Sequence, residues 1–198
     1  MKRLFDVALS ATGLLLSMPV WLAIAVAIAL EDGRPVFFTQ RRVGRRGQPF
    51  TLFKFRTMIR QASSQPARQA EERDSRVTRV GRLLRATALD ELPQLVNILV
   101  GDMSFVGPRP LAESEAEVGG EGVVRLSDYP GYHERHAVRP GLTGLTQVYA
   151  PRDLSRGRKF RFDAIYVRHA GMCLDLRLIA LSFWITFRGR WEHRGPKV

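Results

Sequence analysis

The run Thr87-Ala88-Leu89-Asp90-Glu91-Leu92-Pro93-Gln94-Leu95 sets two carboxylates side by side, just ahead of a proline and an apolar stretch. Proline is tolerated in the first turn of a helix but not deeper, so Pro93 predicts a helix that starts near Asp90. Acids there sit at the positive pole of the helix, which favours their ionised form, and an ionised carboxylate can act as a nucleophile or a magnesium ligand. Capping is the competing explanation. Thr87 and Asp90 match the Ser/Thr-x-x-Asp/Glu pattern, and on this run alone capping is the commoner cause. Gly107-Pro108-Arg109-Pro110 shifts the balance, because proline on both sides restricts the backbone that carries Arg109. A guanidinium placed in advance suits a phosphate clamp, although a surface turn explains the same residues. The loop Arg139-Pro140-Gly141-Leu142-Thr143-Gly144-Leu145-Thr146-Gln147 has glycines that let backbone come close to a ligand, a feature of low specificity by itself. Asp163 is a lone acid on an expected helix, for which solvent exposure is the default reading. The four histidines lack metal-ligand spacing, and neither a Walker loop nor a dinucleotide fingerprint is present.

These residues need a scaffold, and composition bounds it. The chain has 198 residues, 45% hydrophobic, with 11 Phe, which fits one packed domain and excludes a solvated tail. Cys173 is the single cysteine, so an internal disulfide framework and a cysteine-based zinc site are excluded. There are 31 Lys plus Arg against 19 Asp plus Glu, a net charge of +12, and only Lys2, Lys54, Lys159 and Lys197 among the cations are Lys. Residues 1–60 hold ten basic and three acidic groups, so the excess gathers around one apolar segment, Val7 to Leu30.

That segment, 24 residues without a charge, would be about 36 Å long as a helix, enough to cross a bilayer core of ~30 Å. A cleaved signal peptide fits Lys2 and Arg3 before the run but not Asp6 or the basic sequel. A plain span puts Pro19 mid-helix and leaves basic residues at both ends, against the cytoplasmic preference of Lys and Arg. A re-entrant hairpin that breaks at Ser17-Met18-Pro19 and returns to its own side resolves both conflicts, with anionic lipid headgroups facing the basic flanks. The expectation is therefore a mainly helical α+β monotopic membrane protein, with a membrane hairpin over 1–32 and a catalytic body over 33–198. Within the body, residues 35–58 predict a β-hairpin turning at Gly44 to Gly47. Residues 61–76 and Glu113 to Gly122 read as flexible, and helices are expected near 161–167 and 174–187.

Seven stretches occur together and in one order. They are Lys2-Arg3-Leu4-Phe5-Asp6; Pro35-Val36-Phe37-Phe38 with Gln40-Arg41-Arg42-Val43-Gly44; Phe53-Lys54-Phe55-Arg56-Thr57-Met58; the Leu89 to Leu95 run; Met103 to Pro110; Arg135-His136 with the Arg139 to Gln147 loop; and Asp163 to Tyr166. In these the chain resembles the bacterial sugar transferase family, the small monotopic phosphoglycosyl transferases. The resemblance implies an enzyme on the cytoplasmic face of the bacterial inner membrane. It would move a sugar 1-phosphate from a UDP-sugar to a polyprenyl phosphate, releasing UMP, as the first membrane step of a surface glycan pathway such as exopolysaccharide biosynthesis. Downstream glycosyltransferases would take the product. The resemblance further implies Asp90 as the nucleophile, Glu91 beside it as a Mg²⁺ or proton partner, and Mg²⁺ as cofactor on Asp90 and Glu91. Arg85 and Arg109 would hold phosphates, with Lys54, Asp163 and Arg139 at further substrate positions, and Ser17 and Pro19 would mark the membrane break. The chain departs from the family at Met18 within the break, at Leu145, and over Val148 to Asp153. The rival from another class is a membrane-anchored basic protein that binds nucleic acid or anionic lipid through Arg41 to Arg56; the enzyme reading expects no nucleic acid partner.

Overall fold

The computed structural model describes residues 1–60, 74–113, 116–119, 122–151, 154–188 and 191. Helix α1 (Lys2–Asp32) is followed by strands β1 (Phe37–Val43) and β2 (Pro49–Phe55), helices α2 (Arg79–Ala86) and α3 (Gln94–Val100), and strands β3 (Ser104–Val106) and β4 (Leu111–Ala112). Then come β5 (Ala116–Gly119), β6 (Gly122–Arg125), α4 (Tyr132–Arg135), β7 (Gly141–Thr143), α5 (Leu145–Tyr149), α6 (Arg156–His169) and α7 (Met172–Phe187). The mainly helical α+β class is as expected.

The predicted hairpin is present: β1 and β2 pair antiparallel from Phe37 opposite Phe55 to Val43 opposite Pro49, and β4 joins the outer edge of β1. Alternation places Phe50, Leu52 and Lys54 on one side of β2. Phe50 and Leu52 are buried with Leu95, Ile98 and Met103, so Lys54 follows two core residues inward. Asn97, fully buried on α3, fixes the register. Its side-chain amide donates to the Thr51 carbonyl at 2.7 Å and its carbonyl accepts from the Phe53 amide at 3.1 Å. Strands β3 and β7 pair in parallel, and Tyr166, Leu178 and Ile185 of α6 and α7 close a second core against Val106.

Three expectations are corrected here. The apolar segment does not break into two arms: α1 is one helix from Lys2 to Asp32 with Pro19 inside it. Proline removes one intrahelical bond, to the Leu15 carbonyl, and the surrounding turns hold. The Ser17 hydroxyl bonds back to the Leu14 carbonyl at 3.4 Å and accepts the Trp21 indole N–H at 3.0 Å, bridging the turn on either side. Second, Glu113 to Gly122 is not a plain flexible stretch, since β5 and β6 pair within and beyond it. Gly119 faces Gly122, the short register that a tight hairpin requires. The flexible reading of 61–76 falls mostly on residues 61–73, outside the described residues.

Third, Lys2 and Arg3 do not stand as a free flank for headgroups. Arg3 donates to the Ile98 carbonyl at 2.5 Å and the Leu99 carbonyl at 2.7 Å, which places a cation at the negative end of α3. At the other end of α1, the Glu31 carboxylate accepts the amides of Arg79 at 2.7 Å and Val80 at 2.9 Å, capping α2. Midway, Gly13 lies against Leu95. Helix α1 therefore runs antiparallel along the whole α2-turn-α3 segment. It is the one helix among the described residues long and apolar enough to cross a membrane, and little of its most apolar stretch is buried. Leu15, Leu16, Met18 and Leu22 are exposed.

Candidate active site

Asp90 and Glu91 lie in a 3-10 turn, Leu89–Glu91, between α2 and α3, not in the first turn of an α-helix. The helix expected to start near Asp90 starts later, at Gln94, with Pro93 at its N-cap rather than in its first turn. What separates the acids from α2 is Ala88, whose φ of 56° is left-handed. This conformation costs an alanine ~1 kcal/mol, and it turns the chain so that the acids face β2. The capping explanation fails: Thr87 ends α2, and its hydroxyl donates backward to the carbonyls of Leu83 at 2.9 Å and Leu84 at 3.2 Å.

Lys54 reaches the dyad from β2. Its ammonium is 2.5 Å from Glu91 Oε1 and 3.6 Å from Asp90 Oδ2. Arg109 completes the cluster from the Pro108-Arg109-Pro110 turn, with Nη2 3.3 Å from the same Glu91 oxygen. The two acids are held differently. Burial penalises the Asp90 carboxylate and the neighbouring Glu91 charge adds to that, so its pKa is raised to about 6 in spite of Lys54, Arg85 and Arg109. Burial also acts on Glu91, but the charges of Lys54 and Arg109 and their hydrogen bonds outweigh it and hold that carboxyl well below the usual range. Glu91 is thus a fixed anion that orients two cations, while Asp90 is a destabilised one. Arg85 is near enough for its charge to act on Asp90.

Glu91 of the dyad lines a shallow cleft together with Arg42, Lys54, Gln94, Arg109 and Leu142, among others, and Asp90 lies next to it in the chain. Three cations and an anion around so small a space suit a phosphorylated ligand. For a magnesium ion the donor set is Asp90 and Glu91, and no cluster of three or more acids, histidines or cysteines occurs among the described residues. Two carboxylates alone would hold such an ion only with phosphate oxygens and water completing its shell.

Two predicted residues sit elsewhere. Asp163 is 2% exposed: Oδ2 accepts from Arg135 Nε at 2.9 Å and Oδ1 from the Thr146 hydroxyl at 2.5 Å. It is not a solvent-exposed acid, nor does it border the cleft. Its burial is made tolerable by Arg135, which in turn donates to the Arg109 carbonyl at 2.6 Å. Arg139 is tied to the Gly101 carbonyl at 2.8 Å, at the end of α3 away from the dyad. The glycines of its loop serve the backbone: a Cβ on Gly141 would lie 2.0 Å from the Gly107 amide nitrogen, and one on Gly144 2.2 Å from the Gly107 carbonyl oxygen. They let β7 approach the base of the Arg109 turn.

The sequence assigns no place in the site to Arg42, Arg135 or Asn97. Arg42 donates to the Pro110 carbonyl at 3.0 Å, so with Arg135 it grips the Arg109 turn from both sides. Arg42 and Arg135 do lie within the family-like stretches, but nothing in their spacing says that they bond to the Arg109 turn. Their inward place also weakens the strand-binding alternative, since Arg42, Lys54 and Arg56 of the Arg41 to Arg56 stripe are engaged inside the protein.

The sequence pattern of the bacterial sugar transferase family matches residues 1–189. A UDP-glucose:undecaprenyl-phosphate glucose-1-phosphate transferase of Klebsiella pneumoniae is 40% identical over 191 residues, 94% of this chain and 40% of the relative. An uncharacterised sugar transferase of Bacillus subtilis (strain 168) is 40% identical over 187 residues, 92% of this chain and 85% of the relative. A UDP-N-acetylgalactosamine-undecaprenyl-phosphate N-acetylgalactosaminephosphotransferase of Aeromonas hydrophila is 37% identical over 181 residues, 90% of this chain and 41% of the relative. The chain spans about two fifths of the length of the Klebsiella and Aeromonas proteins and most of the Bacillus one.

Proposed function

This chain belongs to the bacterial sugar transferase family, and from that premise we propose that it transfers a sugar 1-phosphate from a UDP-sugar to a polyprenyl phosphate through a covalent intermediate on Asp90. The observation that carries the reading is the division of labour in the dyad. Lys54 and Arg109 are both anchored on Glu91, which leaves Asp90 as the buried, destabilised carboxylate beside a cationic cleft. An Asp90 oxygen attacks the phosphorus that bears the sugar, and the bond from that phosphorus to the UMP oxygen breaks. A lipid phosphate oxygen then attacks the same phosphorus, the bond to Asp90 breaks, and the carboxylate is restored. Lys54 and Arg109 offset the charge that the diphosphate brings and that grows on the departing UMP. Mg²⁺ on Asp90 and Glu91 would add charge neutralisation at the phosphate oxygens.

We read the chain as resting on the cytoplasmic face of the inner membrane with both ends of α1 on that one side. What supports this is that both ends of α1 are bonded to the same polar body, through Arg3 and through Glu31, while its exposed middle is apolar. Relatives of similar identity are named for glucose and for N-acetylgalactosamine, so the sugar is left to experiment. UMP release, measured over a panel of UDP-sugars with polyprenyl phosphate, should single out a donor; the same assay should find Asp90→Asn inactive. Full UMP release by that variant would remove Asp90 from the mechanism.

A further inference from the structure

We propose that the first turn of α1 is a positioning element for Arg109, so that seating the membrane helix sets where the phosphate-gripping guanidinium stands. The inference rests on the phosphoglycosyl transfer reading and extends it to residues far from the dyad in sequence.

The Arg109 turn follows directly from β3, and β3 is held at every residue. The Asp6 carboxylate, 2% exposed, accepts from the Ser104 hydroxyl and from the Phe105 amide, each at 3.1 Å. Lys2 donates to the Val106 carbonyl at 2.9 Å, to the Tyr166 hydroxyl at 2.8 Å and to Asp175 Oδ2 at 2.6 Å. The Tyr166 hydroxyl, whose one proton is shared between two acceptors, stands 3.0 Å from the Val106 carbonyl oxygen and 2.8 Å from Asp175 Oδ1 and so links β3 to the Lys2 site. Three residues after Val106 stands Arg109, which the two prolines keep from relaxing independently. A shift of Val106 therefore moves the guanidinium rather than being absorbed on the way. The beginning of α1 supplies two of these holds, and Asp175 keeps the Lys2 ammonium in place from a site that is itself 3% exposed. Lys2 and Asp6 are positioning residues: neither touches the cleft.

Arg3 provides an internal comparison. It leaves the same turn of α1 and makes bonds as short, but to the end of α3. Losing Arg3 loosens α1 without touching β3.

The full chain, in detergent or nanodiscs, would be compared as wild type, Lys2→Met, Lys2→Arg, Tyr166→Phe and Arg3→Met, in three measurements: hydrogen exchange across residues 103–112, thermal stability, and steady-state UMP release. Lys2→Met and Tyr166→Phe should speed exchange at Ser104 to Gly107 and raise KM for the UDP-sugar by ~10- to ~100-fold, with a smaller loss in kcat, because a misplaced clamp first weakens donor binding. Lys2→Arg should restore much of both, and Arg3→Met should lower Tm with KM unchanged. Two results would overturn the proposal: unchanged exchange and KM in Lys2→Met despite a lower Tm, or an equal rise of KM in Arg3→Met. If Lys2→Met does not fold, Tyr166→Phe decides by the same criteria. If the wild type releases no UMP, the transfer reading falls, while hydrogen exchange still decides whether Lys2 positions the turn.

Discussion

Replacing Asp90 by Asn should make the protein inactive and more stable. The carboxyl is raised from 3.8 to about 6, chiefly by burial. A difference of about two units between folded and unfolded states corresponds to roughly 3 kcal/mol by which the ionised side chain weakens the fold at neutral pH. The sign follows from proton counting: between pH 3.8 and about 6 the folded protein holds more proton than the unfolded one, so wild-type stability falls as pH rises through that window. An amide has no such loss. Asn also leaves Lys54 its contact with Glu91, so no buried cation is orphaned. For a chain of 198 residues the gain would be on the order of 5–10 °C in Tm at pH 7. Differential scanning fluorimetry of both proteins from pH 4 to 8 would read it, with the two curves meeting near pH 4 and separating up to about pH 6. Equal or lower Tm for Asp90→Asn at pH 7, or a gap independent of pH, would refute the claim that Asp90 is held as a strained anion.

Lys54→Met removes the largest influence that opposes the rise of Asp90. UMP release should fall ~100-fold or more, and the acid limb of its pH profile should move to higher pH; an unmoved limb would contradict the coupling. Asp163→Ala strands Arg135 in the interior and should cost roughly 3–5 kcal/mol in stability, with near-wild-type melting contradicting the buried pair. Thr87→Val removes only hydroxyl bonds at the end of α2. It should cost under ~1 kcal/mol and keep UMP release within about twofold, whereas a true cap of the dyad would lose activity.

The elements with strong local signals were legible in the sequence. The β-hairpin showed in its phenylalanines and its Gly44 to Gly47 turn, and Pro93 signalled a nearby helix start, which falls at Gln94 instead of near Asp90. The Asp90-Glu91 pair and the restricted Arg109 were visible as candidates, yet their meeting was not. It depends on Asn97 bracketing β2 and on β3 and β7 touching through Gly107 and Gly141, contacts between residues about 45 and 34 positions apart. The role of Asp163 was hidden for the same reason, since its partner Arg135 is 28 residues away. The uninterrupted α1 went the other way: Pro19 looked like a break, and the Ser17 and Trp21 side chains, whose pairing no propensity encodes, bridge it. The basic excess near the N-terminus proved to be several things at once, with Lys2, Arg3, Arg42, Lys54 and Arg56 bonded internally and Arg34, Arg41, Arg45 and Arg46 exposed.

The central claim is that Asp90 carries the phosphosugar between two half-reactions. Rapid mixing of enzyme with UDP-glucose or UDP-N-acetylgalactosamine in the absence of any lipid acceptor, followed by acid quench and mass spectrometry, tests it directly. The account predicts a burst of UMP of about one per enzyme molecule with one of the donors, together with a sugar-phosphate mass on the peptide that contains Asp90, both missing in Asp90→Asn. UMP release that requires polyprenyl phosphate from the first turnover, with no adduct on that peptide, would contradict it.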